Sequence, residues 1–166
     1  WNDRLIGIKG TRGVGKTTFL LQYAKEKFGT DRSCLFINMN NFYFSYFSIV
    51  DFAYEFQRRG GKVLLIDQVF KHPDWSRELR MCYDRFPNLK IVFTGSSVMR
   101  LKEENLELRD IVKSYNLRGF SFREYLNLQT GMKFRAYTLE EILSNHEQIA
   151  KGILSKVRPL DYLQDY

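Results

Sequence analysis

Gly10-Thr11-Arg12-Gly13-Val14-Gly15-Lys16-Thr17 has the spacing of a loop that wraps a polyphosphate, with glycines leading to an adjacent lysine and hydroxyl. A triphosphate needs several backbone N–H donors converging on it, and only a glycine-rich turn lets the backbone approach that closely. Gly10, Gly13 and Gly15 supply the freedom, while Thr11, Arg12 and Val14 complete the loop. Lys16 is expected to reach the β and γ phosphates, the Thr17 hydroxyl to ligate Mg²⁺, and Thr18 to extend the cradle into the following helix. The ligands this pattern calls for are ATP or ADP with Mg²⁺.

Two further groups belong with this loop. Val63-Leu64-Leu65-Ile66-Asp67 is an aliphatic run ending in an acid, the way such enzymes put a carboxylate at the carboxyl edge of a buried parallel strand. Asp67 is therefore the expected Mg²⁺ anchor beside Thr17. Leu89-Lys90-Ile91-Val92-Phe93 ends in Thr94-Gly95-Ser96-Ser97 at the same edge. Thr94 and Ser96 are candidates to sense the γ-phosphate or hold an attacking water, and Ser96 is also placed to cap a helix starting at Val98.

Stepping along the chain, Leu5 to Lys9 reads as a short buried strand and Thr17 to Phe28 as a helix, with Phe19, Leu20, Tyr23, Ala24 and Phe28 at helical spacing and Gly29 as the stop. Cys34 to Ile37 is a second strand. The segment from Asn38 to Phe47 has no clean period and reads as a loop whose aromatics fold back onto the domain. Helices are expected after Ser48, after Pro73-Asp74, from Val98 to Leu108, after Ser121 and after Thr138, with Ile111 to Leu117 as a fifth strand. Strands alternating with helices imply an α/β fold, a P-loop NTPase whose parallel five-stranded sheet is sandwiched by helices. A strand lying between the loop strand and the Asp67 strand gives the ATPase-type order 5-1-4-3-2. Residues 1–130 are expected to form this core and 131–166 a short helical extension that stops before a further C-terminal domain.

The 166 residues suit one domain with a real core, at 44% hydrophobic and 27% charged. No run is long enough to span a membrane and no secretory leader opens the sequence, so a cytoplasmic location is expected. Cys34 and Cys82 have neither metal nor redox spacing and are expected to be buried thiols. A net charge of +7 permits a nucleic-acid partner, but the basic residues are scattered rather than clustered.

Taken together, the glycine loop with Thr18-Phe19-Leu20-Leu21-Gln22, Leu65-Ile66-Asp67-Gln68-Val69 with Pro73-Asp74-Trp75, Phe93 to Ser97, and Leu117 to Leu126 resemble the ATPase domain of the prokaryotic AAA-type ATPases that carry a C-terminal DUF4143 domain. The resemblance covers nearly the whole chain. It implies an AAA-like nucleotide-binding core using ATP and Mg²⁺, homo-oligomerisation, and a C-terminal domain that these residues do not contain. Family members usually carry Asp-Glu at the end of the third strand, and here the second position is Gln68. An amide can orient the attacking water but cannot take its proton, so binding is expected to survive while turnover slows. Oligomeric AAA-type ATPases supply an arginine in trans, for which Arg109 is the first candidate and Arg118 the second.

Three functions remain open from the sequence: an ATPase module slowed by Gln68, a non-catalytic nucleotide-gated scaffold, and a small-molecule P-loop kinase. All three share one requirement. Lys16→Ala removes the side-chain charge aimed at the β and γ phosphates and should abolish or severely weaken nucleotide binding, measured by titration of a fluorescent ATP analogue. Unchanged ATP affinity in a folded variant would contradict the assignment of the loop.

Overall fold

A computed structural model describes residues 2–96 and 105–166. The aliphatic runs become strands β1 (Leu5–Gly10), β2 (Cys34–Asn38), β3 (Val63–Asp67), β4 (Lys90–Ser96) and β5 (Val112–Asn116). The intervening amphipathic segments become helices α1 (Lys16–Lys27), α2 (Ile49–Arg58) and α3 (Trp75–Arg85), followed by α4 (Phe122–Thr130) and α5 (Leu139–Leu154). The strands form one parallel sheet in the order β2-β3-β4-β1-β5, the expected order read from its other edge.

Parallel strands must bury both faces, and period-two alternation decides which residue goes where. Leu64, Ile66, Ile91 and Phe93 pack with Ile49 and Ala53 of α2 and with Leu79 and Cys82 of α3. Their neighbours Val63, Leu65 and Val92 join Ile6 and Ile8 in a second cluster with Leu20 of α1. Every residue of β3 is buried, so this strand is the centre from which the site is built. Burying one Leu or Ile side chain stabilises by about 1.5–3 kcal/mol, well above the 0–1 kcal/mol typical of exposed ion pairs such as Arg80–Asp84.

Helix ends follow the local chemistry. Ser48 accepts from the Asp51 N–H at the start of α2, and Ser121 and Thr138 form complete capping boxes with Glu124 and Glu141. Gly131 closes α4 with φ 69°. α5 is kinked at Asn145, where φ is −135°. Several elements differ from the sequence reading. Within 38–47 the chain forms a single 3₁₀ turn, Phe42–Ser45, capped by the Asn41 side chain. A turn this short can bury only Phe44; Phe42, Tyr43, Tyr46 and Phe47 pack against one another and remain exposed. Of the helix expected over 98–108, residues 97–104 lie outside those described, and Leu106–Leu108 form a 3₁₀ turn. After Pro159 the chain makes a further 3₁₀ turn, Pro159–Tyr162, and the Tyr166 hydroxyl donates to the Phe120 carbonyl.

The chain divides into two compact units, Trp1–Gly119 and Phe120–Tyr166. The first holds the whole sheet; the second holds α4 and α5, and α5 buries none of its residues. Among the described residues no helix is long and apolar enough to cross a membrane. Burial pushes the Cys34 thiol up to about 11 and the Cys82 thiol up to about 12, which makes both unreactive near neutral pH.

Hydrogen bonds from Arg135 and from the Thr138 backbone hold the Glu141 carboxyl down at about 2. A depressed folded-state pKa contributes stability above the ordinary value of 4.5 and loses it as pH falls toward 2. The Glu141 side-chain carboxyl resonance should therefore titrate near 2 in an NMR pH series. A midpoint near 4.5 would show that the cap does not form.

Candidate functional site

The carboxyl ends of the strands bring the predicted residues to one edge. Parallel register sets Gly10 beside Ser96 and Asn38 beside Asp67, while Ile66 pairs with Phe93 and so brings Asp67 next to Thr94. A cavity of about 780 Å³ opens at this edge. From the glycine loop and α1 its walls include Gly10, Arg12, Gly13, Gly15, Lys16, Thr17 and Thr18; from beyond β2 and β3 they include Asn40, Asp67, Gln68, Phe70 and Lys71. Thr11 and Val14 complete the turn, with the Val14 N–H donating to the Thr11 carbonyl at 3.4 Å.

Glycine is required in this loop for two separate reasons. Gly13 and Gly15 hold φ at 83° and 94°, where a side chain would be strained. Gly10 has an ordinary backbone, but a Cβ there would collide with the Leu117 carbonyl oxygen. Gly15 immediately precedes α1, whose first-turn N–H groups have no partner within the helix and suit an anion. Lys16 donates to the Gly10 carbonyl at 2.8 Å and to the Thr11 carbonyl at 2.7 Å, so its ammonium lies over the loop. Partial burial pushes its pKa below the ordinary lysine value, and the charge of Asp67 partly offsets that.

Asp67 is only 1% exposed. Its Oδ2 accepts from Thr17 Oγ1 at 2.8 Å and Asn38 Nδ2 at 3.0 Å, and its Oδ1 accepts from Thr94 Oγ1 at 2.6 Å. All three donors are neutral, and no Lys or Arg pairs with Asp67 among the described residues. A buried carboxylate with a hydroxyl beside it and no counter-charge fits a hard cation such as Mg²⁺, which takes one or two protein oxygens and completes its shell with water and phosphate. Thr17 and Asp67 are the residues that would hold it. No group of three or more His, Cys, Asp or Glu suited to a metal occurs among the described residues.

Gln68 is the sole non-glycine residue with positive φ among those described, at φ 56° and ψ 45°. Its N–H donates to Thr94 Oγ1 at 2.9 Å, and its side-chain Oε1 accepts from Asn40 Nδ2 at 3.1 Å. Thr94 therefore uses its hydroxyl in both directions, tying Asp67 to the backbone of Gln68. Left-handed backbone in a non-glycine residue costs about 1–3 kcal/mol and persists where its surroundings over-determine it.

The structure brings Thr17, Asp67, Gln68 and Thr94 to the same sheet edge as the loop. The Ser96 side chain lies outside what is described. Arg109 and Arg118 are exposed and line no part of the cavity. The sequence reading missed Asn38 and Asn40, which it grouped with an irregular loop; the signal was a run of Asn at the end of a strand paired with the Asp67 strand. It also missed buried His72, whose Nε2 lies 3.1 Å from Glu78 Oε1 and whose Nδ1 lies 3.3 Å from the Phe44 carbonyl.

A family model described as an AAA domain matches residues 2–126. The chain belongs to the AAA domain family. An uncharacterized protein of Methanocaldococcus jannaschii is 31% identical over 169 residues, covering 94% of this chain and 35% of that protein. The chain thus spans about a third of the length of the curated relative it matches. As an AAA domain it is a nucleotide-binding, ATPase-like module, and the cavity of about 780 Å³ at the end of β1 is of a size to take a nucleotide.

Thr94→Val conserves volume but leaves Asp67 Oδ1 and the Gln68 N–H short of a partner each. It should lower stability by about 1–3 kcal/mol in urea unfolding. A loss within experimental error would mean that water or a shifted side chain replaces the hydroxyl.

Proposed function

We propose that this AAA domain binds Mg²⁺-ATP and hydrolyses it slowly, converting nucleotide state into a shape change for a C-terminal domain or for an oligomer. The observation that carries this reading is the hydrogen bond between the last residue of the glycine loop, Thr17, and the buried acid that ends β3, Asp67, at 2.8 Å. It links the loop to the carboxylate at the distance a shared cation site needs. In this reading Gly10 to Thr18 form the Walker A cradle, Asp67 is the Walker B acid, and Thr17 and Asp67 hold the metal. Mg²⁺, when bound, neutralises phosphate charge and orients the β and γ oxygens.

On nucleotide entry Lys16 exchanges its loop carbonyls for phosphate oxygens, a stronger acceptor for the same ammonium. Gln68 occupies the water-positioning place, with its amide oriented by Asn40. An amide directs a water lone pair but accepts no proton, so it slows hydrolysis without weakening binding. Thr94 couples the position of Gln68 to that of Asp67.

Gln68→Glu keeps the acceptor that Asn40 donates to and adds the missing base. ATP hydrolysis, followed by phosphate release, should rise at least tenfold, about 1.4 kcal/mol of barrier, with little change in ATP affinity. Hydrolysis at background in a folded, ATP-binding Gln68→Glu protein would favour a nucleotide-gated scaffold.

A further inference from the structure

We infer that Lys71 is a second phosphate-reading lysine, which contacts the terminal phosphate from within the same chain and makes the site prefer ATP to ADP. The inference rests on the nucleotide-binding reading of the cavity. Lys71 lines that cavity together with Lys16, Thr17, Asp67 and Gln68. It closes the 3₁₀ turn Val69–Lys71 that follows Gln68, and the turn is held at both ends. Val69 is fully buried, and His72 is fixed between Glu78 and the Phe44 carbonyl. The Lys71 N–H donates to the Gln68 carbonyl at 3.0 Å, which ties the turn to the residue at the water position.

The ammonium itself is uncommitted to a carboxylate. None of the ion pairs among the described residues includes Lys71, and its nitrogen lies 5.7 Å from the centre of the Phe70 ring, a contact that restrains an ammonium without neutralising it. Charge balance points the same way. Among the described residues the cavity gathers Arg12, Lys16 and Lys71 against one carboxylate, Asp67, a balance that suits a ligand with several negative charges.

Position along the phosphate chain then separates the lysines. Lys16 arises from the loop that wraps the chain, whereas Lys71 lies four residues beyond the metal-anchoring acid. A cation held by Thr17 and Asp67 would offset charge on the outer phosphates, and groups that follow Asp67 would then border the terminal phosphate. An ammonium there meets a charge that ATP has and ADP lacks.

The test measures Kd for a non-hydrolysable ATP analogue and for ADP, both with Mg²⁺, in the wild-type chain, Lys71→Gln, Lys71→Arg and Lys16→Ala. Lys71→Gln should weaken the ATP analogue at least tenfold and ADP less than twofold, while Lys71→Arg retains most of the preference. Lys16→Ala should lose both ligands. Equal weakening of both ligands by Lys71→Gln, or none, overturns the assignment while leaving the nucleotide site standing. A wild-type chain that binds neither ligand overturns the nucleotide reading itself, and this inference with it. Because the Lys71 side chain is exposed, circular dichroism of the variants should match wild type, and a lost fold in Lys71→Gln would also count against a phosphate-reading role.

Discussion

Asp67 is a charge buried at the carboxyl edge of the sheet that forms an ion pair with no Lys or Arg among the described residues. Moving a carboxylate out of water costs several kcal/mol even after the protein relaxes. Three hydrogen bonds to it, each contributing about 1.5–3 kcal/mol, offset that cost only because they arrive together from Thr17 on α1, Asn38 on β2 and Thr94 on β4. Three elements are thereby bound to one side chain of β3. A one-residue slip of β3 would turn Asp67 to the other face and exchange Leu64 and Ile66 with Val63 and Leu65 between the two clusters, so the hydrophobic core and the polar site enforce the same register.

The Lys16 ammonium is satisfied by the glycine loop itself in this arrangement. Lys16 donates to two of the loop's own carbonyls, so its ammonium is not left unpaired beside the cavity. Strain is confined to the other side of the cavity, at Gln68, where positive φ is sustained by Thr94 on the backbone and Asn40 on the side chain. The result is a site with a relaxed cradle facing a tightly determined water-side residue.

Beyond Gln68 the chain stays connected to the surface. The 69–71 turn leads into His72, which reaches the Phe44 carbonyl, and Phe44 is the buried member of an otherwise exposed aromatic segment. Residues 38–47 are thus joined to the cavity rim twice, by Asn40 on Gln68 and by Phe44 on His72. Both contacts link residues 28 positions apart in sequence, and of the four partners Gln68 alone belongs to a motif legible in the sequence.

The sequence by itself determined the glycine loop, the acid-ending strand and the caps of α4 and α5, because each is written in residues close together in the chain, and the order of the sheet was legible from the succession of strands along the whole chain. Glycine spacing, period-two runs and Ser or Thr followed three residues later by Glu are local signals, and local sterics enforce them. Tertiary structure decided what surrounds Asp67. The donors Asn38 and Thr94 reach it from different strands, and Asn40 and His72 acquire roles only when β2 and α3 come to lie beside β3. Polar side chains in an aperiodic stretch carry no pattern that states their partners. Buried charge and hydrogen-bond satisfaction are properties of a packed neighbourhood, and packing joins residues that the chain keeps apart.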